Sequence, residues 1–276
     1  MAITAKEVNE LRKMTGAGMM DCKKALTEAD GDFDKAIEIL RKKGQKVSAS
    51  RSDRETTEGS VFVRTNDDQT EGLIVALGCE TDFVAKNEEF QALGNTILDA
   101  AYANKPSSVD ELKAIEVDGL NIGERLIELI GKIGEKIEIV AYDNITGEAV
   151  VPYIHAGSKL GVLVALSGVN GTDVNDAGKD VAMQIAAMNP VAVDKDGVDQ
   201  SIVDREIEIG KEQARAEGKP EQIIEKIAQG KLGKFFKENT LLNQAFVKDN
   251  SMTIAKYLDG INKGLTVTAF KRISVS

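Results

Sequence analysis

Few residues of this chain could do covalent chemistry. It has one histidine, His155, and two cysteines, Cys22 and Cys79. Glu80 and Asp82 closely follow Cys79, and they could orient an imidazole in a thiol hydrolase that pairs Cys79 with His155. No local spacing supports that pair, and the alternative is a cysteine buried at a strand end and a histidine in a hairpin. These side chains make neither a disulfide framework nor a recognisable set of metal ligands.

A phosphate-binding loop is missing as well. A P-loop needs the string G-x-x-x-x-G-K-[ST], in which backbone amides and the lysine hold the phosphates. The glycine pairs at 131 and 134 and at 230 and 233 are too closely spaced for it and fall in helical patterns. We therefore expect no catalytic residues, no cofactor and no metal, and a protein that is not an enzyme.

The segment from Cys79 to Asn87 is of a different kind, because it joins a predicted strand to a predicted helix and carries Phe83 among polar residues. Loops in such positions often carry function. Phe83 also lies seven residues before Phe90, so it could equally be the first core residue of the following helix. The pattern alone leaves both interpretations of Phe83 open.

The whole composition indicates a binding protein. With 276 residues, 42% of them hydrophobic, the chain can bury the cores of one large or several modest domains. A net charge of −10 argues against a protein that tracks along nucleic acid, which needs a strong positive field. No apolar stretch approaches the roughly 20 residues of a membrane span, and no secretory signal is visible. We expect a cytoplasmic protein that contacts neither nucleic acid nor membrane directly.

Residues 1–44 have the pattern of three short amphipathic helices. Thr4 and Glu7 form a capping box before the first helix, a glycine turn starting at Gly16 separates it from the second, and Asp32 caps the third. Such a small domain typically serves as a binding head.

The next segment, 45–58, is poor in apolar residues and rich in Ser, Thr, Arg and Glu, and the stretch from Arg41 to Arg54 carries six Lys and Arg residues against the single acidic residue Asp53. This composition predicts a basic flexible linker, with contact to an acidic partner surface as the alternative.

An internal repeat organises the remainder. Gly72 to Leu77 recurs as Gly161 to Leu166, and in each copy a strand-like segment precedes it and an amphipathic helix that ends near a proline follows. The repeat predicts an α+β fold of two antiparallel sheet-plus-helix subdomains, with a last strand at Val267 to Ile273. The strand-to-helix connection is about three residues longer in the first copy, and Phe83 lies in it.

A helical hairpin interrupts the second copy. Gly218-Lys219-Pro220 separates two apolar stripes, as glycine and proline do between consecutive helices. Two helices alone leave apolar surface open, so a partner or a homodimer through the hairpin is expected to cover it.

The predicted domains are a three-helix domain at 1–44, a basic flexible linker at 45–58, core subdomains at 59–143 and at 144–198 with 239–276, and an antiparallel coiled-coil hairpin at 199–238.

Two long motifs resemble those of the translation elongation factor Ts family, the guanine nucleotide exchange factors for elongation factor Tu. The first is LRKMTGAGMMDCKKAL from Leu11 to Leu26, and the second is CETDFVA from Cys79 to Ala85. Tyr153 to His155, Gly161 to Val164 and the Gly218 to Pro220 turn match too, so the resemblance extends along essentially the whole chain.

The resemblance implies a ubiquitin-associated-type head that docks on the partner's nucleotide-binding domain, a two-subdomain core and a coiled-coil hairpin. It implies that one segment intrudes beside the partner's magnesium site and that a second loop helps to displace its phosphate-binding elements. In this sequence the intruding segment is Thr81, Asp82, Phe83 and Val84, the second loop is Ile133 and Gly134, and further contacts are Met20, Lys23, His155, Phe246 and Val247.

The function implied is binding to elongation factor Tu, GDP-bound or nucleotide-free, and promotion of GDP release. The alternative is a ubiquitin-associated-type adaptor or chaperone cofactor that uses only the head. Deletion of residues 1–44 separates the two, because an adaptor would lose all binding and an exchange factor would keep its core contacts.

Overall fold

The structure, a computed structural model, describes residues 3–275 and combines helices with antiparallel sheets, which confirms the predicted α+β class. No helix within that range has both the length and the apolar run that a bilayer crossing requires. The helices are α1 Ala5–Thr15, α2 Met19–Glu28, α3 Phe33–Arg51, α4 Asp82–Ala85, α5 Glu88–Asn104, α6 Val109–Ala114, α7 Ile122–Ile133, α8 Asn175–Met188, α9 Gln200–Ala216, α10 Glu221–Asn239 and α11 Ile254–Ile261. The strands are β1 Glu58–Thr65, β2 Glu71–Cys79, β3 Glu116–Val117, β4 Leu120–Asn121, β5 Ile137–Thr146, β6 Ala149–Ile154, β7 Leu160–Ser167, β8 Ala245–Phe246, β9 Asp249–Thr253 and β10 Thr266–Ser274.

Helices α1, α2 and α3 form the head around a small core that includes Leu11 and Leu26. The predicted capping box of Thr4 and Glu7 is present at the start of α1, and Gly16 ends that helix with a φ of 64°. These local signals begin and end the helices because they satisfy backbone groups that have no partner inside a helix.

Helix α3 does not end near residue 44, so the prediction of a flexible linker is wrong for residues 45–51. Gly44 of α3 crosses α7 at Gly131, where a Cβ atom added to Gly131 would lie 2.7 Å from the Gly44 Cα. One turn further along, Val47 packs against the core beneath the first sheet. The composition predicted mobility because small and apolar residues are few in this segment. Those few pack against parts of the chain that are distant in sequence, which composition does not reveal.

The core is built on two three-stranded antiparallel sheets, one with the order β1-β2-β5 and the other with the order β10-β7-β6. The last strand, predicted at Val267 to Ile273, is β10. The sheets face each other through apolar side chains that include Ile74 and Leu163. Helix α5 covers the outer face of the first sheet and helix α8 that of the second.

The sequence repeat appears as a matched pair of hydrogen bonds between the sheets. The backbone N–H of Val61 donates to the Ser158 carbonyl at 2.7 Å, and the N–H of Val150 donates to the Gln69 carbonyl at 2.5 Å. Val61 corresponds to Val150 in the repeat, and Gln69 to Ser158. Both acceptor residues have positive φ angles, 53° and 60°, in the turn before the repeated strand. The two copies are therefore joined by reciprocal contacts.

The predicted helical hairpin is formed by α9 and α10 with Gly218 at the turn, where φ is 71°. Its helices approach closely at Gly210, because a Cβ atom there would lie 3.1 Å from the Ala228 Cα. Ile209 and Ile223 remain exposed on its surface.

Candidate functional site

Phe83 lies on a single helical turn that follows β2, and 83% of its surface is exposed. No other large hydrophobic side chain within residues 3–275 is as exposed. Burial of a phenylalanine stabilises a fold by about 1.5–3 kcal/mol, and this fold forgoes that gain. Of the two interpretations left open by the sequence, the core residue is wrong.

The turn is held from beneath, so that Phe83 points outward. Thr81 caps α4, and its hydroxyl accepts a hydrogen bond from the Val84 amide at 3.4 Å. Val84 and Ala85 are buried in the core below the first sheet. Val84, predicted as a contact residue, is therefore placed as an anchor, because successive residues of a helical turn face different directions.

Asp82 lies beside Phe83 with its carboxylate in solvent. The Lys86 Nζ lies 2.7 Å from its Oδ2, one helical turn away. The hydrogen bond and the charge of Lys86 hold the pKa of Asp82 below its usual range, so Asp82 is a carboxylate at neutral pH. The turn thus presents an aromatic ring and a negative charge side by side.

The predicted second loop, Ile133 and Gly134, lies next to this turn. Helix α7 ends at Ile133, and Gly134 reverses the chain with a φ of 85°. The following residue, Glu135, accepts hydrogen bonds from the backbone N–H and the hydroxyl of Thr81, at 3.1 Å and 2.9 Å. The structure therefore ties the predicted Thr81–Val84 segment to the residue that directly follows the predicted second loop, 54 positions further along the sequence.

A second set of bonds runs in the opposite direction. The Lys136 backbone N–H donates to Glu80 at 2.7 Å, and Arg54 Nη1 lies 2.6 Å from the other carboxylate oxygen. Burial raises the pKa of Glu80, but the Lys136 amide and Arg54 together outweigh burial and hold the pKa below its usual range. Glu80, Glu135 and Lys136 were missed as site residues. The signal available was the adjacency of Glu80 and Glu135 to Thr81 and Gly134.

Cys79 and His155 each have other partners. The Cys79 thiol is buried and donates to the Thr81 carbonyl at 3.2 Å. Burial and the nearby Glu135 raise its pKa to about 12, so it is a poor nucleophile at neutral pH. His155 is exposed in the turn between β6 and β7, with Nδ1 3.0 Å from the Tyr153 hydroxyl. The geometry does not support a thiol hydrolase.

Met20 and Lys23 lie on the exposed side of α2 in the head, where 62% of Met20 is accessible. They border an apolar groove of about 470 Å³ between α1 and α2. The groove is lined chiefly by Ile3, Val8, Arg12, Met19, Met20 and Lys23.

Phe246 and Val247 lie at the β8–β9 hairpin of the second subdomain. Phe246 is buried and stacks on Tyr257 with ring centroids 4.4 Å apart, so it is placed in the core and not at a contact surface. Val247 is exposed, and its backbone N–H donates to the buried Gln184 at 2.9 Å. Of this predicted pair, Val247 alone is presented to solvent.

Among residues 3–275, no group of three or more His, Cys, Asp and Glu side chains is arranged to hold a metal ion. The arrangement around Phe83 is instead a surface of fixed shape, with an aromatic ring, a carboxylate and a tightly tied neighbouring loop.

Comparison with known proteins gives a consistent result. The family model described as Elongation factor TS matches residues 80–276. A protein named elongation factor Ts from Amoebophilus asiaticus is 60% identical over 275 residues, covering 100% of this chain and 99% of that protein. The elongation factors Ts of Cytophaga hutchinsonii and Christiangramia forsetii are 60% and 53% identical, with coverage of 99% of this chain in each case. The chain belongs to the elongation factor Ts family.

Proposed function

We propose that this protein binds elongation factor Tu carrying GDP and speeds the release of GDP without any covalent step. The observation that carries the proposal is the exposure of Phe83 on a turn anchored by Val84 and Glu135. Membership of the elongation factor Ts family supports it.

The weakening of GDP binding follows from thermodynamic linkage. A factor that binds nucleotide-free elongation factor Tu more tightly than the GDP form must weaken GDP binding by the same factor. Phe83 would enter an apolar recess of the partner, and the Asp82 carboxylate would disturb the magnesium ion that neutralises the GDP phosphates. Both groups act only if they arrive in a fixed geometry, because a mobile side chain would lose binding free energy to ordering.

Other surfaces extend the contact. The groove bordered by Met20 and Lys23 would dock on the nucleotide-binding domain of the partner. Ile133 and Gly134, at the end of α7, would displace phosphate-binding elements of the partner. His155 and Val247 would form a second contact area, with Phe246 as the buried support of Val247.

We propose that the protein acts in the cytoplasm, as its role in translation would require, and that the release of GDP needs no catalytic residue. A homodimer through the hairpin of α9 and α10 stays a prediction.

The test is stimulated release of fluorescent GDP from elongation factor Tu. We expect the wild-type protein to speed release, and we expect Phe83→Ala to lose roughly tenfold or more of that rate, because the recess would go unfilled. Met188→Ala is the matched control, since Met188 is also an exposed apolar side chain but lies at the end of α8. Release by Phe83→Ala at the wild-type rate would show that Phe83 has another role.

A further inference from the structure

The Phe83 turn, residues 81–85, cannot hold its own geometry. An isolated helix of four residues is unstable in water, because its nucleation fixes several residues for very few hydrogen bonds. The exposed ring of Phe83 adds no packing that would compensate. Contacts from elsewhere in the chain must therefore keep it ordered.

Glu135 supplies contacts at the first residue of the turn. It accepts from both the backbone N–H and the hydroxyl of Thr81. Because the hydroxyl hydrogen points to Glu135, its oxygen lone pairs are free to accept from the Val84 amide, which is the cap of α4. Glu135 thus sets the orientation of the group on which the helical turn depends.

Glu80 ties the same two loops together from the other side. It accepts from the Lys136 amide and pairs with Arg54, and the Lys136 ammonium in turn donates to the Arg54 carbonyl at 3.0 Å. Hydrogen bonds to a charged carboxylate are about twice as strong as neutral ones. The loop after α7 is thus held against the start of the Phe83 turn by four residues, Glu80, Thr81, Glu135 and Lys136.

The second copy of the repeat holds a comparable bond set without an exposed aromatic turn. Glu148 accepts from the backbone N–H groups of Gly168 and Val169, at 2.8 Å and 3.1 Å, just after β7. Tying the strand end with a carboxylate is thus common to both copies. The first copy differs because its tied residue, Thr81, begins the turn that carries Phe83.

We propose that Glu135 is a positioning residue for nucleotide exchange, which acts by holding Thr81 so that Phe83 is presented in one orientation. This inference rests on the proposed function, because exchange is the activity that Phe83 would perform.

The experiment compares the maximal rate of stimulated GDP release with the factor concentration that gives half of it. We expect Glu135→Ala to lower the maximal rate roughly five- to tenfold, as the loss of two hydrogen bonds implies, while the half-saturating concentration changes less than about twofold. Glu135→Gln should retain most of the rate, because its amide can still accept from the Thr81 N–H. Glu148→Ala is the matched control, and it should exchange like the wild type.

A second measurement separates positioning from general stability. In a Phe83→Ala background, Glu135→Ala should lower the rate less than about twofold further, because it acts through the missing ring. Equal losses with and without Phe83, or a wild-type rate for Glu135→Ala, would overturn the positioning role while the exchange function stands. A wild-type protein that fails to speed GDP release would overturn the proposed function and the positioning role with it.

Discussion

Gly72 of the first sheet lies directly against Val150 of the second, and a Cβ atom on Gly72 would fall 2.7 Å from the Val150 Cγ1. The repeat-related pair shows the same relation, since a Cβ on Gly161 would fall 2.5 Å from the Val61 Cγ1. The glycine that leads each copy thus lies where the two sheets pack closely against each other. Both glycines are required by space and not by a positive φ.

Gly161→Ala should therefore lower the free energy of unfolding by about 1–3 kcal/mol, because the added methyl group overpacks the contact between the sheets. Urea denaturation measures the loss. Gly230→Ala in α10 is the control, since nothing lies within 4 Å of its Cβ position and alanine favours a helix by up to about 1 kcal/mol. Equal stability of Gly161→Ala and wild type would contradict the close packing.

Cys79 predicts a loss of stability at alkaline pH. Its pKa is raised in the fold, so the protonated thiol contributes fully to the free energy of unfolding below the pKa of an unfolded thiol, near pH 8.5. That contribution declines as pH rises toward 12. From pH 8 to pH 10 the wild type should lose up to about 2 kcal/mol more stability than Cys79→Ala in urea titrations. If the stability of both proteins fell equally with pH, Cys79 would not be the cause of the alkaline loss.

Asp82→Asn should slow stimulated GDP release by roughly three- to tenfold, because the amide keeps the shape of the side chain but removes the charge beside the partner's magnesium ion. The loss should shrink when free magnesium is lowered with a chelator. Asp99→Asn is the control, since Asp99 is an exposed carboxylate of α5 that pairs with Arg64. A loss independent of magnesium would point to a contact role for Asp82.

The hairpin prediction concerns oligomeric state. If a homodimer buries the exposed apolar side chains of α9 and α10, Ile223→Glu should convert it to a monomer, because an unpaired charge would enter the interface. Light scattering after size exclusion measures the mass. Gln229→Glu, on the same helix and exposed, should leave the mass unchanged. A monomeric wild type at tens of micromolar would disprove the dimer.

Local signals in the sequence determined much of the fold. The Thr4 and Glu7 capping box, Gly16 and the Gly218 turn mark the ends of helices, because each satisfies a backbone requirement within a few residues. The recurrence of Gly72 to Leu77 at Gly161 to Leu166 indicated two related subdomains for a similar reason, since each copy carries its own apolar strand and the helix that follows it.

The tertiary structure decided which apolar residues are exposed at the surface and which are buried. Phe83 fitted a core or a contact by pattern and Phe246 was expected at the contact surface, yet Phe83 is exposed and Phe246 is stacked inside. Helix α3 likewise continues past residue 44 because it crosses α7 at Gly131. In each case the deciding partner lies far along the chain: Glu135 for the Phe83 turn, Gly131 for α3. Local patterns carry no information on such distances, because only the folded packing brings those groups together.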